Sequence, residues 1–301
     1  MLPIQSSKIS KVRSRDTRGI KTKMKVLALM SGGVDSSVAA FLLKKQGYDV
    51  SGVYLKLWEE GRGGSGGREI GDPCWVHEKR DAERVAARLG IPFFTMDVTR
   101  EYKKAVLSDF INEYRRQRTP NPDVLCNQKI KFGVALKKAR EMGFDFIATG
   151  HYAQIARKRM AKGVGRKGNS KLFALCSFLL AARDKNKDQS YFLWKLTQSE
   201  LSRTLFPVGG LLKSEVRAIA KKAGLHTWQK KDSQGICFLG KMDVPKFLKA
   251  QMRMKPGPIV DVTGRMVGTH RGLPFYTKGQ RHGLGIGGIR GEPEGEPWYV
   301  V

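Results

Sequence analysis

The chain has 301 residues, 41% of them hydrophobic, enough to bury a large core and to form two domains. Its 56 Lys and Arg against 27 Asp and Glu give a net charge of +29, which points to a polyanionic partner, nucleic acid before anionic membrane, or to a generally basic proteome. No apolar run approaches the roughly 20 residues of a membrane span. Four scattered cysteines (Cys74, Cys126, Cys176, Cys237), with no secretory signal and no paired C-x2-C, argue against a disulfide framework and against a structural zinc site.

Residues 1–23 hold seven Lys and Arg and one acid, Asp16. They read as a disordered basic arm, as upstream sequence before a start at Met24, or as an organellar transit peptide. Residues 26–30 are a fully apolar strand that stops at Ser31-Gly32-Gly33. Val34, Val38, Phe41 and Leu42 then mark one helix face, which Gly47 closes. The free amides of that helix N-terminus, with the hydroxyls of Ser31, Ser36 and Ser37, make an anion site. Asp35 beside it is either a magnesium ligand or a helix N-terminal acid opposing the dipole.

Residues 50–57 give a second strand, followed by a glycine-rich loop at 61–71. A helix from about His77 carries Ala82, Val85, Ala86 and Leu89 on one face. A third strand at 93–98 leads to Thr99 as a helix cap, with Val106, Phe110, Ile111 and Tyr114 facing inward. Repeated strand–helix alternation predicts a doubly wound parallel sheet with sites at the strand C-terminal ends. A proline-stiffened loop follows, and Cys126 at its end is either a buried structural cysteine or a thiolate stabilised by the helix dipole and nearby arginines. The next helix shows Phe132, Ala135, Leu136, Ala139 and Met142, and a strand at 145–149 ends in Gly150-His151-Tyr152.

A basic hairpin spans 156–171, and Lys187-Asp188-Gln189 precede aromatics that read as core before they read as base-stacking platforms. Thr197 and Glu200 form a capping box, and a helix ends at Gly224. From residue 225 short strands and glycines set in, with Thr263-Gly264 as a hairpin turn. The expected organisation is an extension at 1–23, a nucleotide-binding domain at 24–224 and a small mixed, β-rich domain at 225–301.

Ser31-Gly32-Gly33-Val34-Asp35-Ser36 resembles the PP-loop of the ATP pyrophosphatase superfamily, and the chain has no Walker A lysine pattern. Five further strings accompany it: Thr119-Pro120-Asn121-Pro122-Asp123 through Cys126-Asn127, Ala148-Thr149-Gly150-His151-Tyr152, Lys187-Asp188-Gln189-Ser190-Tyr191-Phe192-Leu193, Asp232-Ser233 with Gly235-Ile236-Cys237-Phe238, and the glycine-rich run 279–288. Together they resemble the tRNA-specific 2-thiouridylase family, MnmA in bacteria.

That resemblance implies ATP-dependent replacement of the C2 oxygen of wobble uridine 34 by sulfur in tRNAs for lysine, glutamate and glutamine. It implies ATP, with Mg2+ at Asp35, against Leu29, Met30, Ser31, Gly32, Gly33, Val34, Asp35, Ser36, Leu55 and Gly150. It implies tRNA contacts at Asn121, Pro122, Asp123, His151, Lys187, Asp188 and Gln189. Cys237 would carry a persulfide, and Cys126 would release its sulfur or resolve it as a Cys126–Cys237 disulfide, with Asp123 as acid/base partner. A cysteine desulfurase or sulfur-relay protein would supply the sulfur, with no membrane involved, in the cytoplasm or, if 1–23 is a transit peptide, in a mitochondrial or plastid matrix. The resemblance also implies a C-terminal β-barrel after Glu296-Pro297-Trp298-Tyr299-Val300, which this sequence, read to Val301, is expected to lack. Another adenylating PP-loop enzyme would leave the two cysteine strings unexplained, and a non-enzymatic RNA-binding protein has no use for the loop.

Overall fold

The computed structural model describes residues 14–15, 21–58, 74–164, 171–232, 244–286 and 297–301. Within the N-terminal extension, Ser14–Arg15 pairs antiparallel with Lys21–Thr22. The chain divides into two compact units, residues 1–102 with 124–234 and residues 103–123 with 235–301. Residues 103–123, read from sequence as part of the first domain, thus group with the C-terminal part of the chain.

The larger unit is built on β1 (Lys25–Leu29), β2 (Asp49–Lys56), β3 (Phe93–Asp97), β4 (Phe146–Ala148) and the two-residue β5 (Thr204–Leu205), in spatial order β3-β2-β1-β4-β5. All four pairings are parallel. Parallel neighbours need crossovers, and right-handed crossovers to both sides of β1 wind the sheet doubly. The strand order reverses at β1 and β4, which makes the crevice beyond their C-terminal ends the topological switch point.

Helices α1 (Val34–Lys45) and α2 (Cys74–Leu89) contribute Val34, Val38, Ala39, Ala40 and Leu43, and Ala82, Val85, Ala86 and Leu89, to the core. Helix α3 (Lys213–Lys222) adds Val216 and Ala220. The sequence reading placed the start of α2 at His77, whereas it begins at Cys74. A long antiparallel hairpin, Gln154–Val164 with Lys171–Leu180, forms the basic segment foreseen at 156–171, while its 165–170 tip lies outside the described residues.

Four local expectations are corrected. Thr99 does not cap a helix but begins one, its N–H donating to Asp97 Oδ1 at 2.9 Å. Met142 follows the last residue of its helix and is 51% exposed, so it leaves the apolar face it was expected to join. The segment before Cys126 is not a loop to its end, because Pro122–Leu125 is already helical and continues as a π-helix over Cys126–Ala135. The aromatics after Gln189 sit on a 3-10 turn, Ser190–Leu193, where Leu193 is buried but Tyr191 and Trp194 are exposed.

In the smaller unit Phe110 is buried, meeting Tyr114 edge-on with ring centroids 5.0 Å apart and Phe247 at 6.4 Å. Strands Gly257–Val260 and Met266–His270 pair antiparallel. Asp261 Oδ1 accepts the N–H groups of Thr263 and Arg265 at 2.8 and 3.0 Å, and Gly264 takes φ +87°, so the expected turn is present. No helix among the described residues is long and apolar enough to cross a membrane.

Candidate active site

The turn between β1 and α1 lies at the switch point. Gly32 takes φ +72°, and a Cβ there would come within 2.2 Å of the Glu78 carbonyl oxygen, so the turn demands glycine. Gly33 caps α1 in an extended conformation, and a Cβ on it would meet nothing nearer than Ser31 Oγ at 3.5 Å. Gly33 therefore has room for a Cβ beside the helix N-terminus, whose first amides have no intrahelical partner.

The Ser36 hydroxyl braces the turn, accepting Ser31 N–H at 3.2 Å and lying 3.3 Å from Ser31 Oγ. Ser37, expected at the anion site, donates to the Gly33 carbonyl at 2.7 Å and is fully buried, so its hydroxyl faces away. Leu29, Met30 and Val34 have side chains in the core, leaving their backbone to face the turn. Leu55, part-exposed near the end of β2, pairs in register with Met96. Gly150, just after β4, is packed against α1. A Cβ there would stand 2.6 Å from Ser36 N, which makes it a close-approach glycine.

Asp35 accepts two hydrogen bonds from Lys213 Nζ, both at 2.8 Å, and one from Tyr152 OH at 2.8 Å. Burial and the Asp35 charge push the Tyr152 phenol up. Lys213 also pairs with Asp232 at 2.8 Å, and Asp232 binds Lys187 at 2.6 Å and Arg217 at 2.9 Å. Burial alone would raise Asp232, but Lys187 and Lys213 outweigh it and hold the carboxyl at about 2. On the other side Lys230 Nζ donates to the Gly32 carbonyl at 3.1 Å and to Asp81 at 2.6 Å.

Three lysines thus converge around the turn and its aspartates, and sequence reasoning had assigned only Lys187. Lys213 left one signal: it opens α3, where a cation faces the positive end of the helix dipole and needs compensation. Magnesium at a phosphate site needs one or two carboxylates, the phosphates completing its shell. Asp35 fits that role once it shares or exchanges Lys213, and no group of three His, Cys, Asp or Glu side chains among the described residues is placed to hold a metal alone.

The residues expected to touch tRNA divide by geometry. Gln189 and Tyr152 exchange hydrogen bonds, Tyr152 N–H to Gln189 Oε1 at 3.0 Å and Gln189 N–H to the Tyr152 carbonyl at 2.8 Å. Asp188 accepts the Ala182 and Ser190 amides and the Ser190 hydroxyl. Burial raises it, those bonds outweigh burial, and it stays below the usual carboxylate range. Asp188 and Gln189 are therefore committed to holding their own turn. His151 forms a three-ring cluster with Phe132 and Phe206, every pair of centroids 5.9 to 6.0 Å apart, with Nδ1 2.7 Å from Thr149 Oγ1. Burial and the charge of Lys131 keep its pKa well below the usual range, so its ring is neutral at pH 7.

Cys126 is 1% exposed and opens the π-helical segment; Asn127 beside it donates to the Phe192 carbonyl at 3.1 Å. In the smaller unit, Asn121 is part-exposed, Pro122 is buried, and Asp123 keeps Oδ1 buried without a hydrogen-bond partner among the described residues. Cys237 falls within 233–243, outside the described residues.

The model of the tRNA methyl transferase HUP domain matches residues 24–241, and that of the tRNA methyl transferase PRC-barrel domain matches 245–301. The chain is 47% identical over 280 residues to the tRNA-specific 2-thiouridylase MnmA of Methylobacillus flagellatus, covering 93% of this chain and 71% of that protein. It is 44% identical over 280 residues to the MnmA of Pediococcus pentosaceus, covering 93% and 68%. To the MnmA of Streptococcus sanguinis it is 46% identical over 280 residues, covering 93% and 69%. With relatives this similar along most of both chains, the chain belongs to the tRNA-specific 2-thiouridylase MnmA family.

Proposed function

We propose that the chain catalyses ATP-dependent 2-thiolation of wobble uridine 34 in tRNAs for lysine, glutamate and glutamine. The observation that carries this reading is the glycine turn at the N-terminus of α1, at the switch point, where Gly33 has room for a Cβ and Lys213 and Lys230 stand on either side. ATP would lie along the turn, with Leu55 and Gly150 toward the adenosine. Mg2+ brought with the phosphates would be held by Asp35 and supplies charge neutralisation there.

The uridine must leave the anticodon stack before C2 can be reached. Its C2 oxygen then attacks the α-phosphorus and pyrophosphate departs, which turns that oxygen into an AMP leaving group. The turn amides, the Ser31 and Ser36 hydroxyls and the lysines stabilise charge on the departing pyrophosphate. Asp123, whose buried Oδ1 lacks a partner among the described residues, suits the role of proton acceptor. Asn121 and Pro122 would contact the same base, with Lys187, Asp188, Gln189 and His151 framing the RNA.

Sulfur would arrive as a persulfide on Cys237, loaded by a cysteine desulfurase or sulfur-relay protein. In one route the Cys126 thiolate attacks the Cys237 sulfur and releases hydrosulfide, which adds to C2. In the other the terminal sulfur adds to C2 first and Cys126 then displaces the product. Either way AMP leaves and a Cys126–Cys237 disulfide remains for reduction. The cytoplasm, which supplies tRNA and keeps thiols reduced, is the proposed compartment.

The test is to incubate the full chain with ATP, unmodified tRNA and sulfide and to look for 2-thiouridine by nucleoside mass spectrometry. AMP and pyrophosphate should accumulate with it. ADP and phosphate without 2-thiouridine would refute the reading.

A further inference from the structure

Tyr191 and Trp194 are large aromatics left 66% and 62% exposed, on a turn whose other groups are tightly used. The turn is a 3-10 helix, Ser190–Leu193, with Trp194 as its C-cap. In a 3-10 helix residues three apart eclipse one another, so these two lie on one face, separated by about 6 Å along the axis at roughly 2 Å of rise per residue.

The base beneath them is rigid. Leu193 is buried, Asp188 holds the Ser190 amide and hydroxyl, and Gln189 is locked to Tyr152. Asn127, next to Cys126, donates to the Phe192 carbonyl, so the platform is tied to the helical segment that carries the thiol. Lys195 Nζ lies 5.2 Å from the centroid of the Trp194 ring, and Lys185 and Lys187 precede the turn.

We propose that Tyr191 and Trp194 form a stacking site for unpaired nucleobases of the tRNA anticodon loop, a proposal that rests on the tRNA substrate assigned above. Exposed rings give up the gain of burial in the core, and a base face covering them recovers it. Every base offers a π-face, and Lys195, over one face of the Trp194 ring, adds a cation that favours the polyanion carrying the base on the other. The chain's charge of +29 makes RNA the matching occupant over a protein surface of mixed charge.

The test compares the full chain with Tyr191→Ala, Trp194→Ala and the ring-keeping Trp194→Phe. The probes are an unmodified anticodon stem-loop and a fully paired RNA duplex of equal length, read by fluorescence anisotropy. Each alanine variant should bind the stem-loop about ten-fold more weakly or worse, with duplex binding unchanged, and Trp194→Phe should recover most of the loss. Unchanged stem-loop affinity in a chain that still makes 2-thiouridine overturns the stacking site alone. Loss of donor-protein-supported thiolation, with sulfide-supported thiolation and RNA affinity intact, overturns it in favour of a protein docking face. A parent chain that neither binds the stem-loop nor makes 2-thiouridine overturns the functional reading on which the site rests.

Discussion

Lys213 begins its helix at the end where a cation is least welcome, and two carboxylates keep it there, Asp35 from the turn and Asp232 from the far end of the same unit. Asp232 is held by three cations and lies at about 2 instead of 3.8. Since its folded pKa is below its unfolded one, its contribution is complete above about pH 4 and is lost as pH falls toward 2, amounting to about 2 kcal/mol. Asp232→Asn should therefore lower the urea midpoint at pH 7, and the gap to the parent should close as pH falls from 4 to 2. A gap that does not change with pH would remove the ion-pair account. The two proposed thiols give a second prediction. With a cysteine desulfurase and cysteine as the sulfur source in place of sulfide, Cys126→Ser and Cys237→Ser should each abolish 2-thiouridine formation, while Cys74→Ser and Cys176→Ser should leave it intact. Full activity in either of the first pair would end the two-thiol mechanism.

The turn between β1 and α1 separates two uses of glycine that look alike in sequence. A Cβ on Gly33 would meet nothing nearer than Ser31 Oγ at 3.5 Å, and its φ of −91° is an ordinary negative one, so alanine there fits the fold and occupies the space proposed for phosphate. Gly150 faces the Ser36 backbone at 2.6 Å, so alanine there must push β4 and α1 apart. Gly33→Ala should keep stability within about 0.5 kcal/mol while cutting AMP release at least ten-fold, whereas Gly150→Ala should cost about 1–3 kcal/mol of stability. Thermal unfolding measured beside AMP release distinguishes them, and equal destabilisation by both would show that the Gly33 space is not open. The strand–turn–helix was legible in the sequence because its signal is local: an apolar run, two glycines and a helical face within about twenty residues. Strand β5 was not, since two residues show no periodicity and Thr204–Leu205 is a strand only through pairing with β4. Nor was Lys213, whose partner Asp35 is 178 positions away. The exposure of Tyr191 and Trp194 was misread because aromatic residues beside a helix start usually face a core, and the 3-10 geometry that turns both outward has no signature in composition.

For the whole molecule the excess of 56 basic over 27 acidic residues sets how RNA affinity responds to salt. Each phosphate neutralised releases a counterion, so log affinity should fall by roughly 0.7 to 0.9 per log unit of salt for every contact made. Ring stacking at Tyr191 and Trp194 releases none, which makes the two parts of binding separable: alanine at either ring should shift the line down without changing its slope. Residues 1–23 hold seven Lys and Arg and one acid. If they lie along the RNA, deleting them should lower the slope while leaving AMP release unchanged, because none belongs to the turn at residues 31–36. A salt titration of tRNA affinity for the parent chain and the chain starting at Met24 measures this directly. An identical slope for both would show that the extension takes no part in binding, and a slope near zero for the parent would show that shape and stacking, not charge, hold the tRNA.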